Sequence, residues 1–306
     1  MKIVVVGSSN TDMVIKTARI PAPGETVIGG TFSMAAGGKG ANQAVAAARA
    51  GGEVAIVARV GTDMFGDEAL KGFQGDGLDV RYVYRDPVTP SGVALIFVDE
   101  KGENSIAVSS GANGVLSVAD VEGAHEMIRG AGVLLTQLET PLDAVLSAAR
   151  IAAEHRVRLV LNPAPARQLP EDLLRQVSIL TPNESEAELL TGIAVRTEED
   201  AAGACAVLHS RGVKEVILTM GRRGAFVSSP NITEFLPAYS VKAVDTTAAG
   251  DVFNGALCVA LVEGKGTNDA ARFASAAAAM SVTRLGAQPS APRRAEIDAF
   301  LKDRGS

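Results

Sequence analysis

Ile3-Val4-Val5-Val6-Gly7, directly after Met1-Lys2, is an uninterrupted run of β-branched residues that ends at a glycine. A strand with one solvated face alternates apolar and polar residues, whereas this run is apolar throughout. Such a run is typical of a strand buried on both faces, as in a parallel sheet covered by helices. It therefore predicts the first central strand of an α/β fold. It is also too short for the apolar part of a secretion signal.

Similar short apolar runs recur along the chain, with helical patterns between them. This alternation predicts a central, mostly parallel sheet flanked by helices, as in Rossmann-type α/β folds. The further predicted strands are Val54 to Val60, Val133 to Leu138, Arg158 to Leu161, Ser178 to Thr181 and Glu215 to Thr219.

Two helix starts are marked by residues that favour capping. Thr140 is the predicted cap of a helix that opens at Pro141, a residue well tolerated in a first turn. Thr197 is the predicted cap of another, and the acidic residues 198–200 place negative charge at its positive end.

Two stretches interrupt the α/β alternation. Residues 13–35 contain two strand-like runs around a proline- and glycine-rich turn, and residues 91–108 form a predicted hairpin that turns at 100–103. Together they are expected to form a small sheet over the carboxyl ends of the main strands, where open α/β sheets bind ligands. An edge hairpin that only extends the main sheet is the alternative. We therefore expect residues 1–306 to form a single α/β domain with an inserted β-sheet lid.

Composition excludes several classes of partner. Tryptophan is absent, aromatic residues are 4% of the chain and the net charge is -6, which disfavours a nucleic-acid partner. No uninterrupted apolar stretch reaches the about 20 residues that span a bilayer, so no membrane partner and a cytoplasmic location are expected. Cys205 and Cys258 have no cysteine or histidine at ligand spacing, which indicates buried free thiols.

The run Asp245-Thr246-Thr247-Ala248-Ala249-Gly250-Asp251 precedes an apolar helical pattern. Small residues at a helix start expose amide N–H groups at its positive end, which favours an anionic group. The amides of Ala248, Ala249 and Gly250 are expected to face such a group, with the carboxylate of Asp251 towards a bound hydroxyl. The alternative is that Asp251 is only a helix-end charge, worth about 0.3 to 1 kcal/mol.

A second run, Gly37-Gly38-Lys39-Gly40-Ala41-Asn42-Gln43-Ala44, also leads into a helical pattern. Glycines permit close approach of a ligand to the backbone, and Lys39 and Asn42 supply hydrogen-bond donors. The run lacks the serine or threonine that follows lysine in a Walker A loop. By itself it is equally compatible with tight packing.

Two further polar groups follow predicted strands. Asn10-Thr11-Asp12 stands where a dinucleotide-binding fold would have its glycine fingerprint, and it suits recognition of a polyol or a simple Asx turn. Asn183-Glu184-Ser185-Glu186 places carboxylates at a helix start, either as capping charges or to hold a hydrated Mg²⁺.

In combination, the two glycine-containing runs resemble the signatures of the PfkB family of carbohydrate kinases, in its ribokinase-like form. The resemblance extends over nearly the whole chain through Asn113, Glu139, Asn162 to Ala166, Thr181 to Glu184 and Gly286 to Ser290. It implies a ribokinase-like fold and transfer of the γ-phosphoryl group of ATP to the 5-hydroxyl of ribose. It also implies Mg²⁺, an activating monovalent cation such as K⁺, and a homodimer formed through the lid.

The resemblance implies a role for each matching position. Asp251 would be the general base, with an anion hole from the backbone of Ala248, Ala249, Gly250 and Asp251. The implied sugar contacts are Asn10, Thr11, Asp12, Gly38, Lys39, Gly40, Ala41, Asn42, Glu139 and Asp251. The implied nucleotide and Mg²⁺ contacts are Asn183, Glu186, Thr219, Met220, Gly221, Arg222, Arg223, Gly224, Gly250 and Ser275. The implied K⁺ site is Asp245, Thr247, Ser281, Arg284, Gly286 and Ser290.

Two departures from the family pattern are present. Ala248 replaces a common glycine, and we expect it to adopt the ordinary dihedral angles of a helix entry. Ser275 replaces a histidine found near the adenine in some relatives. The competing hypotheses are a kinase for deoxyribose, fructose or adenosine, a non-catalytic sugar- or nucleotide-binding regulator, and an NAD-dependent oxidoreductase, which the missing fingerprint disfavours.

Overall fold

The computed structural model describes residues 1–230 and 232–304 and contains two separate sheets. The larger has nine strands in the order β13-β12-β11-β10-β9-β8-β1-β4-β5. The seven strands β11, β10, β9, β8, β1, β4 and β5 pair in parallel, and β12 and β13 add an antiparallel edge. Its strands are β1 (Ile3–Val6), β4 (Val54–Gly61), β5 (Asp79–Asp86), β8 (Val133–Thr136), β9 (Arg158–Leu161), β10 (Ile179–Leu180), β11 (Glu215–Thr219), β12 (Gly224–Ser229) and β13 (Ile232–Pro237).

The smaller sheet confirms the prediction of a second, small sheet. Its order is β3-β2-β6-β7, with β2 and β6 parallel and the outer pairs antiparallel. Three residues separate the end of β1 from the start of β2, and β3 ends just before helix α1, so this sheet is connected to the main body on both sides. Its strands are β2 (Asn10–Lys16), β3 (Thr31–Gly37), β6 (Gly92–Val98) and β7 (Asn104–Ser109).

Helices cover both faces of the larger sheet. The alternate side chains of β1 enter different cores: Ile3 and Val5 pack with one layer of helices, Val4 and Val6 with the other. This is the burial on both faces that the apolar run predicts. The helices are α1 (Lys39–Arg49), α2 (Met64–Gly75), α3 (Val118–Gly123), α4 (His125–Arg129), α5 (Leu142–Glu154), α6 (Glu171–Gln176), α7 (Glu184–Thr191), α8 (Glu198–Ser210), α9 (Ala249–Val262), α10 (Thr267–Ser281) and α11 (Arg294–Asp303).

Some predicted boundaries are wrong by a few residues. Strand β8 ends at Thr136, before the predicted Leu138, because the Leu138 amide donates to the carbonyl of Ala164 and leaves the ladder. The β10 ladder ends at Leu180, shortly before Pro182, which has no amide hydrogen. Within residues 1–230 and 232–304, no helix combines the length and apolar character needed to cross a membrane.

The two predicted helix caps have different outcomes. Thr197 is confirmed, since its side chain accepts a hydrogen bond from the amide of Asp200 at 3.1 Å. Thr140 is wrong as a cap: the cap of α5 is Pro141, whose carbonyl accepts the amides of Ala144 and Val145. The Thr140 hydroxyl is buried without a hydrogen-bond partner among the described residues.

Candidate active site

The carboxyl ends of β1, β8, β9 and β10 lie side by side, since these neighbouring strands are parallel. Polar residues that follow these ends therefore converge at one edge of the sheet. Ser8, Glu139, Asn162 and Thr181 occupy these positions and are buried or partly buried. This edge is the first candidate for a ligand site.

Asp251 is the third residue of α9 and lies at this edge. Its carboxylate accepts hydrogen bonds from Nδ2 of Asn42 at 3.0 Å and Nε2 of Gln43 at 2.9 Å. Both donors lie in the first turns of α1, which crosses α9 closely at Gly255, where a Cβ would lie 2.5 Å from the carbonyl oxygen of Gln43. The glycine at this crossing thus permits the two amide donors to reach Asp251.

Burial dominates the protonation behaviour of Asp251. Removal from water raises the pKa of its carboxyl group above the ordinary value, and the nearby Glu139 charge acts in the same direction. The Lys39 charge and the hydrogen bonds from Gln43 and Asn42 oppose the rise in pKa. A carboxylate with a raised pKa is a stronger base, which suits removal of a proton from a hydroxyl group.

Four carboxyl groups share the surroundings of Lys39. Burial raises the pKa of Asp12 to about 6, assisted by the charges of Glu139 and Asp251 and opposed by Lys39. Burial likewise raises the pKa of Glu186, which also senses Lys39 and Asp251. The site therefore carries more negative than positive charge, which favours a ligand rich in hydroxyl groups, or a cation, over an anion at this position.

Glu139 connects two chain segments at the mouth of α1. Its Oε2 accepts the hydroxyl of Ser8 at 2.5 Å and the backbone amide of Lys39 at 2.9 Å. A carboxylate at the first amide of a helix is favoured by the helix dipole. This arrangement fixes Glu139 and leaves its second oxygen, Oε1, to receive further hydrogen bonds.

The remaining predicted sugar contacts surround this point. Asn10 and Thr11 open β2, and Gly38 precedes α1. A Cβ at Gly40 would lie 2.5 Å from the amide nitrogen of Ser8, so the glycine permits α1 to approach the end of β1. Ala41, which is buried, donates its amide to the carbonyl of Ser8 at 2.8 Å. Gly40 and Ala41 thus act here through their backbone.

An unsatisfied acceptor indicates where a ligand would bind. The Oδ1 atom of Asn42 is buried and has no hydrogen-bond partner within residues 1–230 and 232–304. Buried polar atoms are nearly always paired, by protein, water or ligand. Since Nδ2 of the same amide holds Asp251, a hydroxyl donor that satisfied Oδ1 would lie close to that carboxylate.

The helix mouth that begins α9 differs from expectation at Ala248. Ala248 adopts φ 58° and ψ 15°, the left-handed conformation, so the prediction of ordinary helix-entry angles is wrong. The chain turns sharply at Ala248, just before the helix begins. The carbonyl of Thr246 accepts the amide of Ala249 across this turn at 3.3 Å. That hydrogen bond is long, and the first-turn amides of Ala249, Gly250 and Asp251 have no intrahelical acceptor.

Ala248→Gly is expected to stabilise the protein by up to about 1 kcal/mol. It relieves the about 1 to 2 kcal/mol cost of a left-handed L-residue, offset by about 0.4 to 1 kcal/mol from the more flexible unfolded chain. Urea unfolding measures the difference. The matched control is Ala202→Gly at an exposed position within α8, which should instead destabilise by about 0.5 to 1 kcal/mol. Equal losses for both variants would contradict the left-handed assignment.

Asn183 and Glu186 form a capping box at the start of α7. Oδ1 of Asn183 accepts the Glu186 amide at 2.8 Å, and Oε2 of Glu186 accepts the Asn183 amide at 2.8 Å. Capping is therefore one role of these residues. Glu186 is buried, retains Oε1 and senses Asp251, so the box also lies beside the candidate site.

The segment Thr219 to Gly224 lies at the same edge of the sheet but is only partly available to a ligand. Thr219 pairs with Asn183 in an isolated bridge, and Met220 is buried. The guanidinium of Arg223 donates to Glu184 at 2.8 Å and to the carbonyls of Val195 and Arg196. Gly221 and Arg222 are exposed in a short 3₁₀ helix, Gly221–Arg223.

Ser275 lies apart from that segment, in α10. It lines a cleft of about 340 Å³ together with Tyr239, Arg272 and Arg304. The other residues predicted to contact the nucleotide do not line this cleft.

Three residues of the implied cation site, Asp245, Thr247 and Gly286, are joined by hydrogen bonds at the loop that precedes α9. Oδ1 of Asp245 accepts the amide of Thr247 at 2.9 Å, and Oδ2 accepts the amide of Gly286 at 2.8 Å. Ser281 ends α10, and its carbonyl accepts the amide of Arg284 at 3.0 Å. Ser290 is buried at the end of the 3₁₀ helix Gln288–Ser290. Asp245 therefore connects the loop that precedes α9 to the segment after α10.

Sequence reasoning missed the polar network behind Asp251. Nε2 of Gln43 also contacts Oδ1 of Asn162 at 3.0 Å, and its Oε1 accepts the amide of Gln137 at 2.6 Å. A second chain runs from Thr181 to Asn254, which donates to the carbonyl of Gly250 at 2.8 Å. Gln43 stands inside the quoted glycine-containing run, so its position beside Asn42 was the available signal.

Asn113 is another residue without a predicted role. Its Nδ2 donates to Oδ1 of Asn10 at 2.7 Å and to the carbonyl of Ser9 at 3.0 Å, and its Oδ1 accepts the Ser9 amide at 2.8 Å. These bonds fix the orientation of the Asn10 amide at the start of β2.

Comparison with known proteins agrees with this arrangement. Residues 1–294 match the pfkB family carbohydrate kinase. The chain is 45% identical to a ribokinase of Haemophilus influenzae, over 97% of each chain. It is 37% identical to a deoxyribokinase of Salmonella typhi, over 98% of this chain and 99% of that protein. The structure of Arabidopsis thaliana ribokinase complexed with ribose and ATP superposes with a TM-score of 0.92, at 35% identity and 98% coverage of both chains.

The fold, the buried carboxylate at a helix mouth and these matches define a sugar kinase. The chain belongs to the pfkB family of carbohydrate kinases. This confirms the family resemblance found in the sequence and excludes the oxidoreductase alternative.

Proposed function

We propose that this protein transfers the γ-phosphoryl group of ATP to the 5-hydroxyl of D-ribose, with Asp251 as the general base. The observation that supports this most directly is the buried Asp251 carboxylate, held by Asn42 and Gln43 beside the first-turn amides of α9. The ribokinase relatives and the Arabidopsis complex with ribose and ATP support ribose as the acceptor.

The sugar would bind between the start of α1 and the ends of β1 and β8. Asp12 and Glu139 would accept hydrogen bonds from sugar hydroxyls, and Asn10 and Lys39 would donate to sugar oxygens. The unsatisfied Oδ1 of Asn42 would accept one hydroxyl near Asp251. Gly38, Gly40, Ala41 and Thr11 would shape the backbone around the ring. Binding in this orientation places the reacting hydroxyl against the base, which reduces the entropic part of the barrier.

Phosphoryl transfer passes through a loose transition state, in which most catalysis is positioning and charge stabilisation. The amides of Ala249, Gly250 and Asp251 would receive the transferring group, with Ala248 shaping the turn that presents them. Asp251 would accept the proton of the 5-hydroxyl as the new O–P bond forms. ADP leaves with the electrons of the broken O–P bond.

Mg²⁺ would neutralise charge on the ATP phosphates. Glu186 is compatible with such an ion, because it is buried, retains one carboxylate oxygen and stands near Asp251. Mg²⁺ keeps several waters and takes few protein carboxylates, so Glu186 with water ligands would be sufficient, while Asn183 holds Glu186 in place through the capping box. Thr219 to Gly224 would contact the nucleotide, and Ser275 with Tyr239 would approach the adenine from the cleft.

Incubation with ATP, Mg²⁺ and ribose tests the proposed function. Ribose 5-phosphate and ADP should appear in equal amounts, identified by ³¹P and ¹³C NMR. A non-catalytic sugar-binding protein would bind ribose without consuming ATP. Phosphate on another carbon of ribose, or no ribose-dependent ADP, would contradict the proposal.

A monovalent cation such as K⁺ would bind behind the anion hole. The donor set fits, since the Asp245 carboxylate retains lone pairs beyond the two amides that it accepts, and the backbone carbonyls of Thr247, Ser281, Arg284, Gly286 and Ser290 would supply the other oxygen ligands. Replacing tetramethylammonium chloride with KCl should therefore raise kcat several-fold. Asp245→Asn, checked for folding by circular dichroism, should abolish most of this activation. Equal kcat in both salts would exclude the site.

The small sheet is proposed to act both as a lid and as a dimer interface of a single-domain protein. Cross-strand pairing places Phe32, Met34 and Leu95 on the face that points away from Asp12, where each is 48 to 60% accessible. Ile106 and Val108 are also exposed, on the opposite face. Contiguous exposed apolar residues of this kind mark interaction surfaces. Light scattering should give twice the mass of one chain, and Phe32→Asp should shift it towards the monomer. A monomeric wild-type protein would refute the dimer.

A further inference from the structure

His125, Glu154 and His155 form a side-chain cluster outside the candidate active site. His125 begins α4, Glu154 ends α5, and His155 follows it. Two of the three histidines in the chain therefore meet here. One ligand atom from each of the three residues lies within 4.8 Å of the others.

The cluster lies at the edge of the sheet opposite to Asp251. Helix α5 connects the parallel strands β8 and β9, so it starts at their carboxyl edge and returns to their amino edge. His155 is at the returned end, three residues before β9. The carboxyl end of a helix carries partial negative charge, which favours a bound cation.

The spacing of the two imidazole rings matches coordination of one metal ion by both. Nε2 of His125 and Nε2 of His155 are 3.4 Å apart, and the ring planes are at 89°. Two imidazole nitrogens at about 2.0 to 2.1 Å from one tetrahedral ion are themselves about 3.4 Å apart. In the metal-free protein one Nε2–H can donate to the other Nε2, and a bound ion would replace that proton.

A carboxylate supports the ring that would bind the ion. Nδ1 of His125 lies 3.3 Å from Oε1 of Glu126, which places the Nδ1–H towards the carboxylate and leaves Nε2 with its lone pair. Metal-binding histidines usually have such a partner on the second nitrogen. Glu126 also pairs with Arg129 at 2.5 Å, and Arg150 pairs with Glu122 at 2.5 Å, so both neighbouring cations are engaged by other carboxylates.

We propose that His125, Glu154 and His155 bind a borderline transition-metal ion, with Zn²⁺ as the representative, that connects α4 to the end of α5. Two imidazoles and one carboxylate are a typical Zn²⁺ donor set, whereas Mg²⁺ and Ca²⁺ prefer oxygen ligands alone. Glu154 and His155 are exposed, so the ion enters from solvent and keeps an open position for water. The site is independent of the kinase reaction.

Zn²⁺ titration of tag-free, chelator-treated protein tests the proposal, with Mg²⁺ present to occupy the carboxylates of the active site. Calorimetry should give one equivalent of Zn²⁺, and the thermal midpoint should rise. Since loss of a supporting partner alone costs about 10 to 100-fold in affinity, His125→Gln and His155→Gln should each weaken binding at least as much. The rise of the thermal midpoint on Zn²⁺ addition should disappear in the variant that combines His125→Gln and His155→Gln. The kcat of this double variant should equal that of the wild type.

Two further variants separate a specific site from adventitious binding. Glu126→Gln retains all three ligands and should weaken Zn²⁺ binding about tenfold or more through loss of the Nδ1 partner. Glu188→Gln, an exposed carboxylate on α7, is the matched control and should bind as the wild type. Equal Zn²⁺ affinity in the wild type and the correctly folded double histidine variant, or non-saturating binding in the wild type, would overturn the proposal.

Discussion

Asp251→Asn is expected to lower kcat for ribose phosphorylation by at least about 10², the range usual for loss of a general base. The substitution keeps the shape of the side chain but removes the group that accepts the proton of the 5-hydroxyl. In the wild type, Asn42 and Gln43 each donate a hydrogen bond to one oxygen of the Asp251 carboxylate. The substitution replaces one of these oxygens by an N–H₂ group, which then faces the donor of either Asn42 or Gln43. The effect should lie mainly in kcat, because the sugar keeps its other contacts.

Asp269→Asn is the matched control for this variant. Asp269 is the third residue of α10, as Asp251 is the third residue of α9, but its side chain is exposed. If Asp251 were only a first-turn charge, both substitutions would cost a similar small amount of stability and leave turnover intact. Steady-state kinetics with circular dichroism on both variants measures this, and near-normal kcat in Asp251→Asn would overturn the assignment of the base.

Asp12→Asn is expected to raise the KM for ribose by about tenfold or more, since a hydrogen bond between a charged, partly buried group and a sugar hydroxyl contributes about 1.5 to 3 kcal/mol. The pKa of Asp12 is raised to about 6, so its ionised, hydrogen-bond-accepting form becomes dominant only above that pH. In the wild type, kcat/KM should therefore rise as the pH increases from 5 to 7. The variant should lack that inflection.

The same substitution should stabilise the protein at neutral pH. A carboxyl group with a raised pKa binds its proton more tightly when folded, so its contribution to stability is present below about pH 4 and lost as the pH rises through about 6. Moving the pKa from 3.8 to about 6 corresponds to about 3 kcal/mol, and Asp12→Asn should recover about 1 to 3 kcal/mol of it at pH 7.5.

Urea unfolding at pH 4 and pH 7.5 measures this difference, with Asp143→Asn at an exposed position of α5 as the control. The control should not gain stability at pH 7.5. A loss of stability in Asp12→Asn at pH 7.5, or an unchanged KM for ribose, would show that Asp12 is structural and not a sugar contact.

The sequence was sufficient for the elements with strong local signals. The apolar run at Ile3 to Val6 predicts a buried strand because no polar residue interrupts it. Thr197 could be predicted as a cap because its side chain can accept a first-turn amide and three acidic residues follow it. The small sheet was predicted because its strands are bounded by turn residues. The lengths of the strands that end near Gln137 and Thr181 were overestimated. The residues just after these strands lie in a buried network and resemble strand residues in type, although their backbone has left the ladder.

The contacts that define the site required the structure. Gln43 and Asp251 are 208 residues apart, and no local pattern shows which amide donors face the carboxylate. The left-handed Ala248 was missed for a related reason: the Asp245 side chain accepts the amides of Thr247 and the distant Gly286 and thereby fixes the loop before it. Local propensity favours ordinary angles for alanine, and tertiary hydrogen bonds prevail over it.

The most direct test of the central claim is a side-by-side measurement of kcat/KM for D-ribose, 2-deoxyribose, fructose and adenosine under saturating MgATP. Loss of the 2-hydroxyl would leave buried polar groups of the site unpaired, which disfavours deoxyribose. The account predicts the highest kcat/KM for ribose, with ribose 5-phosphate as the product. A higher value for deoxyribose, as the similarity to a deoxyribokinase would permit, or for fructose or adenosine, would contradict it.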